Sequence, residues 1–247
     1  MEQRLVFPQA AGRFIFSRPS ARSLPSGTRD MLLLCGGRAP SGNWLREVSR
    51  GRELHCADSG ADICREENLL PGSFVGDGDS VSPKTLTWLH EQGVPCEILP
   101  REKDETDYQV LLRRMASLGE SVRSLVVTGI WGGRFDHLYS ALFTSAGFLG
   151  SYELPLFGFA DSREILFFLC SGEFLELHFS RIPRTISLMP LSEECRGVTS
   201  CGTRWDLENV VLRKEFPYAI SNEISPEGEI CTVRVEKGIL GVYAWWG

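Results

Sequence analysis

The sequence predicts a two-part chain, an α/β domain built on a parallel sheet followed by an all-β sandwich. Three observations carry this reading. Between Met31 and Gly147, short apolar runs alternate with helix-like segments, the pattern of parallel strands joined by helical crossovers. After about Tyr152 the helical stretches stop, and short strand-like runs follow one another between Gly, Pro, Asn and Ser turns. The residues with the most chemical character fall just past the apolar runs of the first part. Open parallel sheets bind their ligands there, at the carboxyl ends of the strands.

Taken in order, residues 1–30 are Arg-rich, poor in acids and broken by Pro8, Pro19 and Pro25. They read as a basic extension, disordered or non-native, and Met31 offers itself as a later start. No uninterrupted apolar core of a secretory signal is present. Met31–Cys35 is a buried-strand run closed by Gly36 and Gly37, and 43–50 reads as a helix. Glu53–Ala57 is the next strand, ending in Asp58-Ser59-Gly60, with a short helix over 61–68. Ser73–Val75 leads into a Gly76–Ser80 turn. Residues 83–92 are helical, 95–99 extended, and 106–117 form an amphipathic helix with Val110, Leu111 and Met115 at helical spacing. Ser124–Thr128 is a strand closed by Gly129, and 138–147 is a helix. Beyond it, 165–169, 174–177, 185–189, 229–235 and 239–246 read as strands. The expected domains are a Rossmann-like α/β domain over 31–155 and a β-sandwich over 156–247.

The 247 residues carry 26 Lys+Arg and 32 Asp+Glu, a net charge of −6. An acidic balance argues against nucleic-acid binding, which needs a basic surface. No apolar run is long enough to span a bilayer as a helix, so no membrane partner is expected. The acids are concentrated. Residues 53–107 hold thirteen of them against four bases, a window that is either a solvated face or a cation site. The eight cysteines form no CxxC pair and no zinc-ligand spacing. They read as reduced structural thiols, which points to a cytoplasmic compartment.

Three segments carry chemistry. Gly76-Asp77-Gly78-Asp79-Ser80 places two carboxylates two residues apart, on one face of an extended segment, where they can converge on a hard divalent cation. A capped turn would use the same residues. Lys103-Asp104-Glu105-Thr106-Asp107 sets a second acid pair three residues apart at a helix start, beside a lysine suited to phosphate. Asp104 would serve equally as a helix cap. Two such pairs at successive strand ends favour a metal. Gly129–His137 supplies glycines that let backbone amides approach an anion and Arg134 to fork onto phosphate. Asp136 is placed to hold Arg134, His137 or a metal-bound water, and His137 is either a structural partner or a general base. No P-loop signature occurs.

These segments resemble the thiamine pyrophosphokinase family, which carries in the same order an ADGGA-like segment, a GDFDS turn, a KDxTD segment and a GGRxDH segment. The chain has Ala57–Ala61, Gly76–Ser80, Lys103–Asp107 and Gly132–His137. The resemblance continues through Gly197–Trp205 and Ile220–Glu223, and so covers about 31–247. Ser59 stands where the family has glycine, and Gly78 where it has phenylalanine. The resemblance implies transfer of a pyrophosphoryl group from ATP to the hydroxyl of thiamine, with AMP released. It further implies Mg2+ and ATP phosphates held by Asp77, Asp79, Asp104 and Asp107, one of these acids taking the hydroxyl proton. Asp58, Lys103 and Arg134 would contact nucleotide or phosphate, and Asp136 would organise the site. Thiamine would lie at a homodimer interface, with Trp205 stacked on it and Ser221 and Asn222 bonded to its pyrimidine. An aromatic face suits a fixed cation, although Trp205 as a core ring fits the sequence too. Alternatives are a relative acting on another heteroaromatic alcohol, such as a hydroxymethylpterin, and a non-catalytic thiamine- or nucleotide-binding protein.

Overall fold

Alternation of apolar and polar residues makes the first two strands. The computed structural model describes residues 2–7, 12–17, 26–152, 154–226, 228 and 230–247. Within the supposed extension, Glu2–Phe7 (β1) and Gly12–Ser17 (β2) pair antiparallel. Leu5 and Phe7 point inward from β1, Phe14 and Phe16 from β2, and Arg4 and Arg13 point out. This corrects the expectation of a disordered 1–30. Arginine on one face of a strand is compatible with burial of the other. The remainder of 1–25 lies outside the described residues.

The unit Pro25–Asp161 begins with Arg29–Leu34 (β3), whose Met31–Leu34 are fully buried. Then follow Gly42–Val48 (α1), Arg52–Ala57 (β4), Gly60–Glu66 (α2), Ser73–Gly76 (β5), Pro83–Glu91 (α3) and Cys96–Ile98 (β6). Asp107–Ser117 (α4), Val122–Thr128 (β7), Phe135–Ser151 (α5) and Leu156–Ala160 (β8) complete it. Local chemistry starts the helices where they start. Ser41 caps α1, Ser82 caps α3 ahead of Pro83, and Thr106 with Gln109 forms a reciprocal capping box on α4. The α4 cap is therefore Thr106 and not Asp104, which leaves Asp107 in the first turn.

All neighbouring strands of this unit run parallel, in the order β8-β7-β3-β4-β5-β6. From β3 the chain proceeds outward through β4, β5 and β6. It then returns to the other side of β3 for β7 and β8. The winding reverses at β3, and such a reversal opens a crevice at the carboxyl ends of the strands. The unit also ends later than expected. β8 pairs with β7 and belongs here, which moves the boundary from residue 155 to Asp161.

The other unit joins the described parts of Met1–Leu24 to Ser162–Gly247. It contains Glu164–Leu169 (β9), Phe174–His178 (β10), Thr185–Pro190 (β11), Glu194–Cys201 (β12), Leu207–Arg213 (β13), Ile230–Arg234 (β14) and Leu240–Trp245 (β15). Six strands pair in the order β1-β2-β10-β14-β12-β13, while β15 lies antiparallel between β9 and β11. The N-terminal strands enter through β2, whose Phe14 and Phe16 lie opposite Leu177 and Leu175 of β10. Phe167 of β9 packs its ring 4.8 Å from Phe14, 5.4 Å from Phe16 and 6.2 Å from Phe7, so β1 and β2 complete the aromatic core of this unit. Among the described residues no helix is long and apolar enough to cross a membrane. All eight cysteines are free.

Candidate active site

A cleft of about 520 Å³ opens at the carboxyl ends of the parallel strands. Each strand contributes the residues that follow it: Gly36 and Gly37 after β3, Asp58 after β4, Asp77 and Ser80 after β5, Arg101, Lys103 and Asp107 after β6, and Gly132, Gly133, Arg134 and His137 after β7. Close backbone approach forms its floor. A Cβ on Gly37 would stand 2.6 Å from the Gly129 carbonyl oxygen, and one on Gly129 only 2.3 Å from that of Cys35.

Asp58 adopts a left-handed backbone, φ +52°, a conformation aspartate tolerates better than most residues. Its amide donates to the Val75 carbonyl at 3.1 Å, tying the end of β4 to β5. Its Oδ1 accepts from the Ser80 hydroxyl at 3.2 Å. Here it meets Asp77 and Asp107, and one carboxylate oxygen from each of the three lies within 4.8 Å of the others. Lys103 Nζ stands between two of these acids, donating to Asp77 Oδ2 at 3.3 Å and lying 3.1 Å from Asp107 Oδ1. Asp77 Oδ1 also accepts the Asp79 amide at 3.1 Å.

One lysine does not neutralise three carboxylates. Burial first, then hydrogen bonding and charge from Asp107 and the charge of Asp77, push the Asp58 carboxyl up to about 7. Asp77 goes the other way: burial opposes its charge, but the Asp79 amide and Lys103 hold it below the usual carboxylate range. Lys103 is held above its ordinary value, because Asp107 and Asp77 outweigh the cost of its desolvation. Asp107 Oδ1 is buried and finds no hydrogen bond of good geometry, the Lys103 ammonium lying 3.1 Å from it. Hard oxygen donors, excess negative charge and an unbonded carboxylate oxygen fit a divalent cation such as magnesium.

The four acids expected to hold metal therefore separate. Asp77 and Asp107 converge, joined by Asp58, which was expected at the nucleotide. Asp79 is exposed and faces Arg101, whose Nε lies 3.3 Å from its carboxylate. Asp104 is exposed and outside both the cleft lining and the carboxylate group. Arg134 lines the cleft, with its guanidinium forked onto Asp136, Nε to Oδ1 at 3.1 Å. Asp136 also accepts the His137 amide at 3.0 Å, so it braces Arg134 at the start of α5. Gly78 has φ +79°, and a Cβ there would meet only Leu86, at 3.9 Å. The position is open, and glycine suits its backbone. Ser59 donates its hydroxyl to the Gly36 carbonyl at 3.3 Å, joining the loops after β3 and β4.

The second unit carries a different arrangement. Trp205 is 55% exposed, which removes it from the core, and the Arg204 guanidinium lies 4.8 Å from its ring centroid. Asn222 fastens the loop beneath it. Its Oδ1 accepts the amides of Trp205 (3.2 Å) and Glu223 (2.9 Å), and its Nδ2 donates to the Trp205 carbonyl (2.8 Å) and Thr203 Oγ1 (3.2 Å). The amide expected to bond a ligand is thus committed to holding Trp205. Ser221 is exposed, with φ +59° and its backbone N–H on Ser187 Oγ at 3.0 Å. Phe216, Tyr218 and Ile220 add further exposed apolar surface.

Two family descriptions match the chain in sequence order, and together they span more than half of it. "Thiamin pyrophosphokinase, catalytic domain" covers residues 47–150, and "Thiamin pyrophosphokinase, vitamin B1 binding domain" covers 175–240. The chain belongs to the thiamine pyrophosphokinase family. Among relatives, the thiamine pyrophosphokinase of Bacillus subtilis is 26% identical over 192 residues, 74% of this chain and 82% of the relative. Thiamine pyrophosphokinase 2 of Arabidopsis thaliana is 27% identical, over 75% of each chain. Of solved structures, the thiamine pyrophosphokinase of Bacillus subtilis superposes with a TM-score of 0.75 at 19% identity, covering 89% of this chain and all of the other. The Candida albicans thiamin pyrophosphokinase gives 0.69 at 18%, over 99% of each. At these identities the likeness is one of fold. Every cleft residue named above lies within or just before the catalytic-domain match, and Trp205, Ser221 and Asn222 lie within the B1-binding match of this thiamine pyrophosphokinase family member.

Proposed function

We propose that the protein is a thiamine pyrophosphokinase, moving the β,γ-pyrophosphoryl group of ATP to the hydroxyl of thiamine and releasing AMP. The observation that carries the reading is the Asp58–Asp77–Asp107 group with Lys103, enclosed in the cleft of the unit that matches the catalytic domain. Asp58, Asp77 and Asp107 would hold magnesium, which when bound supplies positive charge for the phosphate oxygens. Lys103, fixed by two carboxylates, presents a cation at the same place, and Arg134 brings a second from the loop after β7. The Gly37–Gly129 floor lets the nucleotide approach the backbone. One carboxylate of the group takes the thiamine hydroxyl proton as the new O–P bond forms and the oxygen bridging the α- and β-phosphorus atoms leaves with AMP.

In the second unit Trp205 offers its face to the thiazolium cation, as it already does to Arg204. Ser221 is the free hydroxyl beside it, and Asn222 holds the ring in place. The exposed Phe216, Tyr218 and Ile220 support assembly as a homodimer with thiamine at the interface. The eight free cysteines support a reducing, cytoplasmic setting. AMP release measured with magnesium, ATP and a panel of heteroaromatic alcohols tests the reading. Turnover with thiamine above hydroxymethylpterin supports it, and no turnover with thiamine at saturating metal and ATP rejects it. Light scattering with and without thiamine tests the dimer.

A further inference from the structure

We infer that Arg101 grips the outer phosphates of the nucleoside triphosphate, and that Asp79 holds its side chain ready until they arrive. The inference rests on the proposed pyrophosphoryl transfer and adds a residue that the motifs do not contain. Arg101 lies on the loop after β6, two residues past Leu99, whose amide is fixed to the Gly76 carbonyl at 2.9 Å. It lines the cleft, yet its side chain is 83% exposed.

A comparison of the cleft's cations singles it out. Lys103 is engaged by Asp77 and Asp107. Arg134 is forked bidentately onto Asp136. Arg101 approaches Asp79 with Nε nearest, at 3.3 Å, and its Nη groups donate no hydrogen bond to protein among the described residues. A guanidinium edge with two free N–H groups matches two phosphate oxygens. Its contact with Asp79, itself 47% exposed, is a solvent-screened pair of the kind that contributes little and is readily exchanged.

Its position selects which phosphates it meets. Asp79 belongs to the turn that carries Asp77, and Arg101 to the loop that carries Lys103, so the pair links the turn that supplies Asp77 to the loop that supplies Lys103. Arg134 approaches from the loop after β7, on the other side of the winding reversal. Arg101 is therefore assigned to the pyrophosphoryl half of the substrate and not to the AMP half.

Calorimetric titration of wild type, Arg101→Ala and Arg101→Lys with magnesium–ATP, magnesium–pyrophosphate and AMP tests this, alongside AMP release with thiamine. Arg101→Ala should weaken magnesium–ATP and magnesium–pyrophosphate about tenfold, leave AMP within about twofold, and keep the melting temperature, since the side chain is exposed. Arg101→Lys should recover part of the loss, because it restores charge without the fork. Unchanged pyrophosphate affinity, or an equal loss for AMP, overturns the assignment even if thiamine is turned over normally. Selective loss of pyrophosphate binding in a protein that does not turn over thiamine would uphold Arg101 and reject the thiamine reading instead.

Discussion

The cleft of Pro25–Asp161 and the Trp205 surface of the other unit are built on opposite principles. The cleft gathers charges that repel one another: three carboxylates, two from strand-end loops and one from the first turn of α4, with one lysine between them. Strand ends tied by backbone hydrogen bonds and a left-handed Asp58 hold them together. The Trp205 surface gathers nothing costly. It exposes an aromatic ring, held from behind by one amide side chain that satisfies both of its own ends. Chemistry on a polyanion needs the first kind of site, primed by electrostatic strain that a cation relieves. Capture of a flat cation needs only the second, a preoriented face.

The sharpest way to break this contrast is to remove a converging charge. Asp107→Asn should lower kcat by a factor of about a thousand while shifting the melting temperature by only a few degrees; a fully unfolded variant would make Asp107 a structural residue. Trp205→Ala should act on binding alone, raising KM for thiamine about tenfold or more with KM for ATP unchanged. Equal effects on both would dissolve the division of labour.

The electrostatic strain itself has a pH signature. Asp58 takes up its proton more readily folded, at about 7, than the ordinary carboxyl value of 3.8. Between those values the folded state binds more protons than the unfolded state, so the metal-free protein should lose stability as pH rises through that window and level off above it. Magnesium, competing with that proton, should bind more tightly as pH rises toward 7, level off above it, and flatten the melting profile. Thermal melts from pH 5 to 8, with and without the metal, measure both effects. The smallest expected effect is that of Asp104→Asn, within about twofold in kcat and KM, because that side chain stands outside the converging group. A loss as large as that of Asp107→Asn would show that the group rearranges on binding.

The sequence made the cleft legible because each motif follows an apolar run, and strand ends collect at one edge of a parallel sheet. It did not reveal which acids meet. Asp77 and Asp79 alternate as an extended segment would, but the segment turns at Gly78 with positive φ and sends Asp79 to Arg101. Asp104 reads as a helix cap, but Thr106 is a better one, having Gln109 to close the box. Asp58 joins through a backbone conformation no periodicity announces. Arg101 was missed because a single arginine in a charged loop has no pattern. The N-terminal strands were missed for the opposite reason, since their Arg-rich composition drew attention away from the alternation of Leu5, Phe7, Phe14 and Phe16. Trp205 was ambiguous until its exposure was known, because a tryptophan in a β-rich segment is as good a core residue as a binding one.

The pairing of β2 with β10 also fixes an order of events during synthesis. Phe14 leaves the ribosome early, but its neighbours Phe167 and Leu177 follow only after the entire Pro25–Asp161 unit has been made. The parallel-sheet unit can close while the chain is still growing, whereas the first strands remain uncovered until β9 and β10 have been made. A nascent chain stalled before residue 162 would thus carry two aromatic strands without their partners, the kind of exposed apolar surface that chaperones bind.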